Sequence, residues 1–138
     1  MFAILTYTDR HYDGVAALWS EAFPGDSPWN AAATAIAEKL RIQPDLLLVA
    51  VASDRVIGSI MAGYDGHRGW ISRIAVLKSD RLRGVGQALV REAEKRLSDL
   101  GCIKINLQVV TSNAGVLGFY QSLGYAVEER ISMSKRIV

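Results

Sequence analysis

The sequence predicts an α/β domain, a mixed and mostly antiparallel sheet of six or seven strands flanked by four helices. Three observations predict it. Short apolar segments bounded by turn residues read as strands, and four other stretches carry apolar residues at helical spacing. Hairpin connections come first along the chain. A strand–helix–strand crossover follows them, which makes the sheet mixed. The 138 residues, 50% of them hydrophobic, suffice for one domain over 1–138 with a buried core.

Residues 2–7 read as the first strand. Val15, Leu18, Trp19, Ala22 and Phe23 then share one helical face. Pro24-Gly25-Asp26-Ser27-Pro28 breaks that helix. An alanine-rich helix over 31–41 turns Ile36 and Leu40 inward and stops near Pro44. Residues 46–52 are almost continuously apolar, as in a strand covered on both faces. Ser53-Asp54 turns the chain into a strand over 56–64, and Asp65-Gly66 signals a hairpin leading to a strand over 70–76. Val85, Leu89, Ala93, Leu97 and Leu100 form the buried stripe of the crossover helix. Glu92 and Arg96 can pair on its outer face, and Gly101 ends it. A strand over 103–109 follows, then a short helix over 114–123 ended by Gly124, then one or two closing strands within 125–136.

Composition excludes several functions. The net charge of +2 is small and the basic residues are spread along the chain, so no nucleic-acid partner is expected. Cys102 is the only cysteine, which rules out an internal disulfide or a multi-cysteine metal site; it reads as a small buried hydrophobe. His11 and His67 are not spaced as a metal pair, and no metal is expected. No apolar run is long enough for a membrane span. The N-terminus lacks the basic region of a signal peptide, so the expected location is cytoplasmic. A homodimer is compatible with the sequence.

The most informative stretch is Arg81-Leu82-Arg83-Gly84-Val85-Gly86-Gln87, which joins the strand ending Ile74-Ala75-Val76 to the crossover helix. Glycines at a helix N-terminus leave backbone N–H groups unpaired, and arginines stand beside them. That combination suits phosphate oxygens. A P-loop needs Lys and then Ser or Thr after its last glycine, and Gln87-Ala88 stand there instead. A dinucleotide fingerprint needs a third small residue where this chain has Leu89. A loop that needs glycine only to turn is the bland alternative.

The remaining pattern is Arg or Gln, two residues, Gly, one residue, then Gly or Ala, which Arg81 to Gly86 satisfies. Asn113, Phe119-Tyr120 and Gly124-Tyr125 follow at fitting distances. In these motifs and in its order of elements the chain resembles the GNAT-type N-acetyltransferases over nearly its whole length. Gly63-Tyr64-Asp65-Gly66-His67-Arg68-Gly69 and Ser27-Pro28-Trp29-Asn30 further resemble the small bacterial YpeA-like branch.

The resemblance implies a GNAT fold with central strands four and five splayed, and transfer of an acetyl group from acetyl-CoA to a small-molecule or peptide amine. It implies that backbone N–H groups of Leu82, Arg83, Gly84, Val85, Gly86 and Gln87 grip the diphosphate, with Arg81 and Arg83 either touching it or simply solvated. It implies that the pantetheine arm pairs with Ile74, Ala75 and Val76. Asn113 meets the arm, caps the next helix, or does both. Gly115 and Gly118 cost a helix about 1 kcal/mol each against alanine, and close approach of the ligand would explain Gly118. Tyr120 becomes the general acid: a thiol titrates near about 8.5 and a phenol near about 10, so its hydroxyl can protonate the departing thiolate.

The attacking amine must also lose a proton, a cost of about 4 kcal/mol at neutral pH for a pKa near 10. Ribosomal-protein N-terminal acetyltransferases carry Glu in the strand before the Asn, where this chain has Gln108. Histone-type members carry Glu on the strand before the loop, near Trp70. Candidate bases are Glu21, Asp65, His67 and a water held by Gln108. Trp29 and Tyr64 are candidates for the acceptor pocket. A protein N-terminal acetyltransferase and a catalytically silent acyl-CoA-binding module are the alternative functions.

Overall fold

Five strands form one sheet in the computed structural model, which describes residues 1–138. They are β1 (Ala3–Thr6), β2 (Leu47–Ala52), β3 (Arg55–Tyr64), β4 (Gly69–Val76) and β5 (Ile105–Asn106), and they lie side by side in that order. β1 to β4 pair antiparallel, and β5 lies parallel to β4. The helices are α1 (Tyr12–Ala22), α2 (Ala32–Ile42), α3 (Val85–Asp99) and α4 (Leu117–Ser122). The chain divides into two units, Met1–Gln108 with the sheet and α1 to α3, and Val109–Val138 with α4. No helix is long and apolar enough to cross a membrane.

Local chemistry sets the hairpins. Ser53 and Asp54 both take left-handed conformations, with φ of 50° and 61°. That is the geometry a two-residue turn needs to follow the twist of its strands, and Ala52 pairs with Arg55 across it. At the next turn the Asp65 carboxylate accepts the N–H groups of His67 at 2.8 Å and Arg68 at 2.7 Å.

The core lies on both faces of the sheet. Leu47, Leu48, Val49 and Ala50 are completely buried, because α1 covers one face and α3 the other. From α1 come Val15, Leu18 and Trp19; from α3 come Val85, Leu89, Val90, Ala93 and Leu97. Leu100, expected in that stripe, is exposed, because α3 stops at Asp99. Gly101 follows at φ 96° and its N–H bonds to Ser98 O, closing the helix as expected. Cys102 is half-buried rather than buried, its Sγ 3.3 Å from Lys104 O.

Three expectations about the C-terminal part need correction. The strand expected over 103–109 is only Ile105–Asn106, and the side chain of Ile103 is exposed. Residues 125–136 form no strand, so the sheet has five strands rather than six or seven. Val127, Ile131 and Met133 are exposed, leaving no buried face to hold a register. The fourth helix begins at Leu117; residues Thr111–Val116 form a 3-10 turn with Asn113 outside helical geometry at φ −113° and ψ 32°. Gly115 in that turn further weakens α-helix.

Gly58 lies where β3 meets α3. A Cβ there would sit 3.0 Å from Leu89 Cδ1, 3.1 Å from Val85 Cγ1 and 3.1 Å from the backbone oxygen of Ala75. Gly58→Ala is expected to destabilise the protein by about 1–3 kcal/mol through overpacking. Urea denaturation checks this as a lower midpoint with an unchanged m-value.

Candidate active site

β5 covers only the first residues of β4. Gly69 pairs with Ile105 and Trp70 with Asn106, and the Gly69 N–H bonds to Lys104 O at 2.9 Å. Beyond Trp70 no strand lies on that side of β4, so the edge from Ile71 to Val76 is open on the side opposite β3. Such an edge presents peptide donors and acceptors to any extended partner. Ile74, Ala75 and Val76, expected to face an amide-rich ligand arm, lie on it.

The same strand is bulged. Ser59 of β3 pairs with Ala75 and Met61 pairs with Ser72, so Arg73 and Ile74 together face Ile60. Arg73 has φ 51°, a strained value for a residue with a Cβ. Its carbonyl accepts the Ser59 hydroxyl at 2.9 Å, and Ser59 Oγ accepts the Trp19 indole N–H at 2.8 Å. A peptide is planar and trans, so its N–H points opposite to its C=O. The Leu77 N–H bonds to Ile57 O, so by the alternation of the antiparallel ladder Ala75 faces β3 and the Ile74 N–H, opposite the Arg73 carbonyl, turns toward the open edge. The Arg73 guanidinium lies 4.5 Å from the Trp19 ring centroid and 4.1 Å from that of Phe23. It pairs with Asp26 at 2.6 Å and donates to Asn30 O at 3.2 Å. The α1–α2 connection is thereby tied to the bulge. None of Trp19, Ser59 and Arg73 was singled out from the sequence for this role. The one signal that could have found them is Arg73, a charge inside an apolar strand.

After β4 the chain makes a 3-10 turn at Lys78–Asp80, whose first N–H bonds to Glu21 Oε2 at 2.9 Å. Leu82 and Gly84 then take φ of 65° and 80°, and α3 starts at Val85. Left-handed residues in a turn curl successive N–H groups toward one concavity, a shape that holds anions. The N–H groups from Leu82 to Gln87 bond to no acceptor in the protein. The first intrahelical bond into this end is Ala88 N–H to Gly84 O at 3.0 Å. The α3 dipole adds partial positive charge at the same place.

Asp80, missed in the sequence, organises the flank. Its carboxylate is buried and accepts Arg83 Nη1 at 2.7 Å and Ser79 Oγ at 2.8 Å, with Arg55 Nη2 at 3.7 Å. Arg83 is therefore held beside the loop and half-exposed, while Arg81 Nε donates to Val76 O at 3.3 Å.

The second unit carries the two remaining residues of the motif. Asn113 is exposed in the 3-10 turn and its N–H bonds to Val110 O at 2.7 Å. It makes no side-chain cap: Val110 precedes the turn and Val116 precedes α4, so the capping role does not hold. Tyr120 is buried in α4, edge-on to Phe119 with centroids 5.1 Å apart and to Tyr125 at 6.1 Å. Burial pushes its phenol above the ordinary value of 10.0, which keeps the hydroxyl protonated.

Two candidate bases are already engaged. Asp65 uses its carboxylate on the turn N–H groups of Arg68 and His67, and these bonds hold its pKa below the usual value. Glu21 is bonded to Lys78 N–H. His67 is exposed in the β3–β4 turn. Trp29 is half-exposed in the 3-10 turn Pro28–Asn30. Tyr64 belongs elsewhere. It pairs with Gly69, whose Cβ position faces Leu97 of α3, and its hydroxyl lies 3.8 Å from the Cβ position of Gly101. It therefore points to the α3 face, away from the break between α1 and α2.

Comparisons with known proteins agree with this geometry. Residues 12–125 match the Acetyltransferase (GNAT) family. The chain is 39% identical over 135 residues to an acetyltransferase of Pectobacterium atrosepticum, covering 98% of this chain and 95% of that relative. It is 40% identical over 132 residues to an acetyltransferase of Sodalis glossinidius, covering 94% and 92%. The chain belongs to the GNAT family and is an acetyltransferase. Among solved structures it is similar to Ard1 from Thermoplasma volcanium, with TM-score 0.81, 21% identity and coverage of 92% of this chain and 84% of that one. It is also similar to aminoglycoside N-acetyltransferase AAC(6')-Iy in complex with CoA, with TM-score 0.79, 22% identity and coverage of 100% and 96%. At these identities the likeness to solved structures is one of fold.

Gly84 holds the loop at φ 80° with nothing within 4 Å of its Cβ position, so only backbone strain opposes a side chain there. Gly84→Ala is expected to cost about 1–2 kcal/mol. Thermal unfolding of the two proteins side by side checks it.

Proposed function

We propose that this acetyltransferase takes its acetyl group from acetyl-CoA and delivers it to an amine by direct attack within a ternary complex. The observation that carries the reading is the run of unbonded backbone N–H groups from Leu82 to Gln87 at the start of α3. Such a row offers several donors to a diphosphate and no side chain that must be deprotonated first. Arg83 and Arg81 add positive charge. The pantetheine arm, two amides in series, can add to the open edge of β4 at Ile74, Ala75 and Val76 as a short extra strand. The fold neighbour AAC(6')-Iy, solved with CoA, supports the same choice of donor.

The chemistry follows from the residues. The Ile74 N–H, turned to the open edge, can donate to the thioester oxygen and stabilise the negative charge that grows there on attack. The neutral amine nitrogen bonds to the acetyl carbon. The carbon–sulfur bond then breaks, the thiolate takes its proton from the Tyr120 hydroxyl, and water returns a proton to the phenolate before the next turnover. Asn113, exposed and uncapped, is assigned to the pantetheine arm. The proton leaving the amine goes to water, because Glu21 and Asp65 are bound to backbone N–H groups. The acceptor is a small-molecule or peptide amine. Residues 27–30 and 63–69 support a place in the small bacterial YpeA-like branch.

The test is calorimetry followed by kinetics. Acetyl-CoA is expected to bind the wild-type protein with micromolar affinity, and thiol release should appear with some members of an amine panel. Tyr120→Phe should keep binding while kcat falls by about 10²–10⁴-fold. Binding without thiol release on any amine would favour a silent acyl-CoA-binding module, and no binding at millimolar acetyl-CoA would end the proposal.

A pH profile is a separate check. The Tyr120 pKa is raised by burial, so the acid form persists through the whole neutral and mildly alkaline range. kcat/KM should therefore rise with pH as the amine loses its proton, with no descending limb below about pH 10. A fall near pH 8 would mean that another group is the acid.

A further inference from the structure

We infer that Ser59, oriented by Trp19, is a positioning residue for acyl transfer: its hydroxyl fixes the Arg73–Ile74 peptide so that the Ile74 N–H stays aimed at the open edge of β4. The inference rests on the reading that acetyl-CoA lies along that edge.

The direction of each bond in the relay is determined. The indole N–H of Trp19 can only donate, so Ser59 Oγ is the acceptor of the 2.8 Å contact. The one proton of Ser59 is then free for the Arg73 carbonyl, 2.9 Å away, which can only accept. Ser59 is fully buried and Trp19 is 4% exposed, so water cannot substitute for either partner. A hydroxyl with three possible rotors is thus locked on one target, and that target is the carbonyl of a residue at φ 51°.

A residue in that conformation returns to ordinary extended geometry if its peptide is allowed to rotate. Rotation would carry the Ile74 N–H off the edge together with the carbonyl. The bonds to the Arg73 side chain do not prevent it, because the guanidinium is held by Asp26 and Asn30 and by the rings of Trp19 and Phe23, several rotatable bonds from the peptide. The Ser59 hydroxyl, by contrast, bonds the carbonyl itself. Trp19 has two separable functions here, its N–H on Ser59 and its ring face on Arg73.

The experiment uses the full chain with Ser59→Ala, Ser59→Thr and Trp19→Phe. Each is first shown by circular dichroism and urea denaturation to be folded under assay conditions. With an amine found active for the wild type, Ser59→Ala is expected to lower kcat by about ten-fold or more while KM for acetyl-CoA changes less than two-fold. Trp19→Phe keeps a ring for Arg73 and should show a smaller loss of the same kind, and Ser59→Thr, which restores a hydroxyl, should recover most of kcat. NMR supplies a readout independent of turnover. In the wild type the Ile74 amide proton should move downfield with acetyl-CoA but not with CoA, and that difference should vanish in Ser59→Ala.

A folded Ser59→Ala protein with wild-type kcat and an unchanged Ile74 response would overturn the inference, as would a wild type that binds acetyl-CoA without any acetyl-dependent shift at Ile74. Failure of the wild type to bind acetyl-CoA is a different result: it removes the donor reading, and the relay loses its purpose with it.

Discussion

The structure turns on the early parting of β4 and β5. The two strands pair at Gly69 and Trp70 and then no further, although β4 runs on to Val76. An uncovered edge in the middle of a crossover unit is costly, because peptide groups there have no ladder to join and offer a template for aggregation. It persists because everything behind it is rigid. β2 is buried on both faces, β3 is pressed between α1 and α3, and the bulge at Arg73 adds twist that bends β4 out of line with β5. The open edge of β4 and the loop before α3 each present backbone donors, separated by a segment in which the N–H groups of Leu77, Lys78 and Asp80 are bonded within the protein.

Charge around that loop is partly self-cancelling. Arg83 and Arg55 both face the buried Asp80 carboxylate, and Asp80 also accepts the Ser79 hydroxyl. A buried carboxylate of this kind holds the arginines in place at the expense of their free charge. In the proposed reading the main attraction for a diphosphate therefore falls to the backbone N–H groups and the helix dipole, which no acid neutralises. Fixed dipoles also need no reorganisation when a ligand arrives, whereas an exposed arginine loses side-chain freedom on binding.

What the sequence made legible follows from the range over which each feature is determined. The glycine loop, the stripe of Val85, Leu89, Ala93 and Leu97, and the Gly101 stop are local patterns, and all are present. The closing strands expected within 125–136 are absent, because alternation in a stretch such as Tyr125, Val127, Ile131 and Met133 shows capacity to pair and says nothing about a partner. Asp65 illustrates the same limit at one residue: a turn aspartate and a free base look identical until its two N–H bonds are seen. The Trp19–Ser59–Arg73 relay spans contacts 40 and 14 residues apart in the chain, so no local pattern announces it. Arg73, a charge in an otherwise apolar strand, is the one local signal that could have pointed to it, and it was not singled out from the sequence.

Burying the phenol that is proposed to donate the last proton carries a cost that the proposed reaction can bear. Desolvation raises the Tyr120 pKa and so makes it a weaker acid. The proton must reach a thiolate whose conjugate acid ordinarily titrates about 1.5 units lower, an uphill step of about 2 kcal/mol between unperturbed groups and a steeper one if only the phenol were raised. The same apolar surroundings raise the basicity of any thiolate they enclose, since both anions lose hydration together. In the proposed reaction the mismatch would then stay near its value in water while both competing charges are disfavoured, which favours the neutral thiol product. A histidine in that position would respond the opposite way: burial lowers the pKa of its cationic acid form, as at His11, where desolvation is the leading cause of the downward shift. For an acid that must stay protonated while buried, a phenol is the better chemical choice.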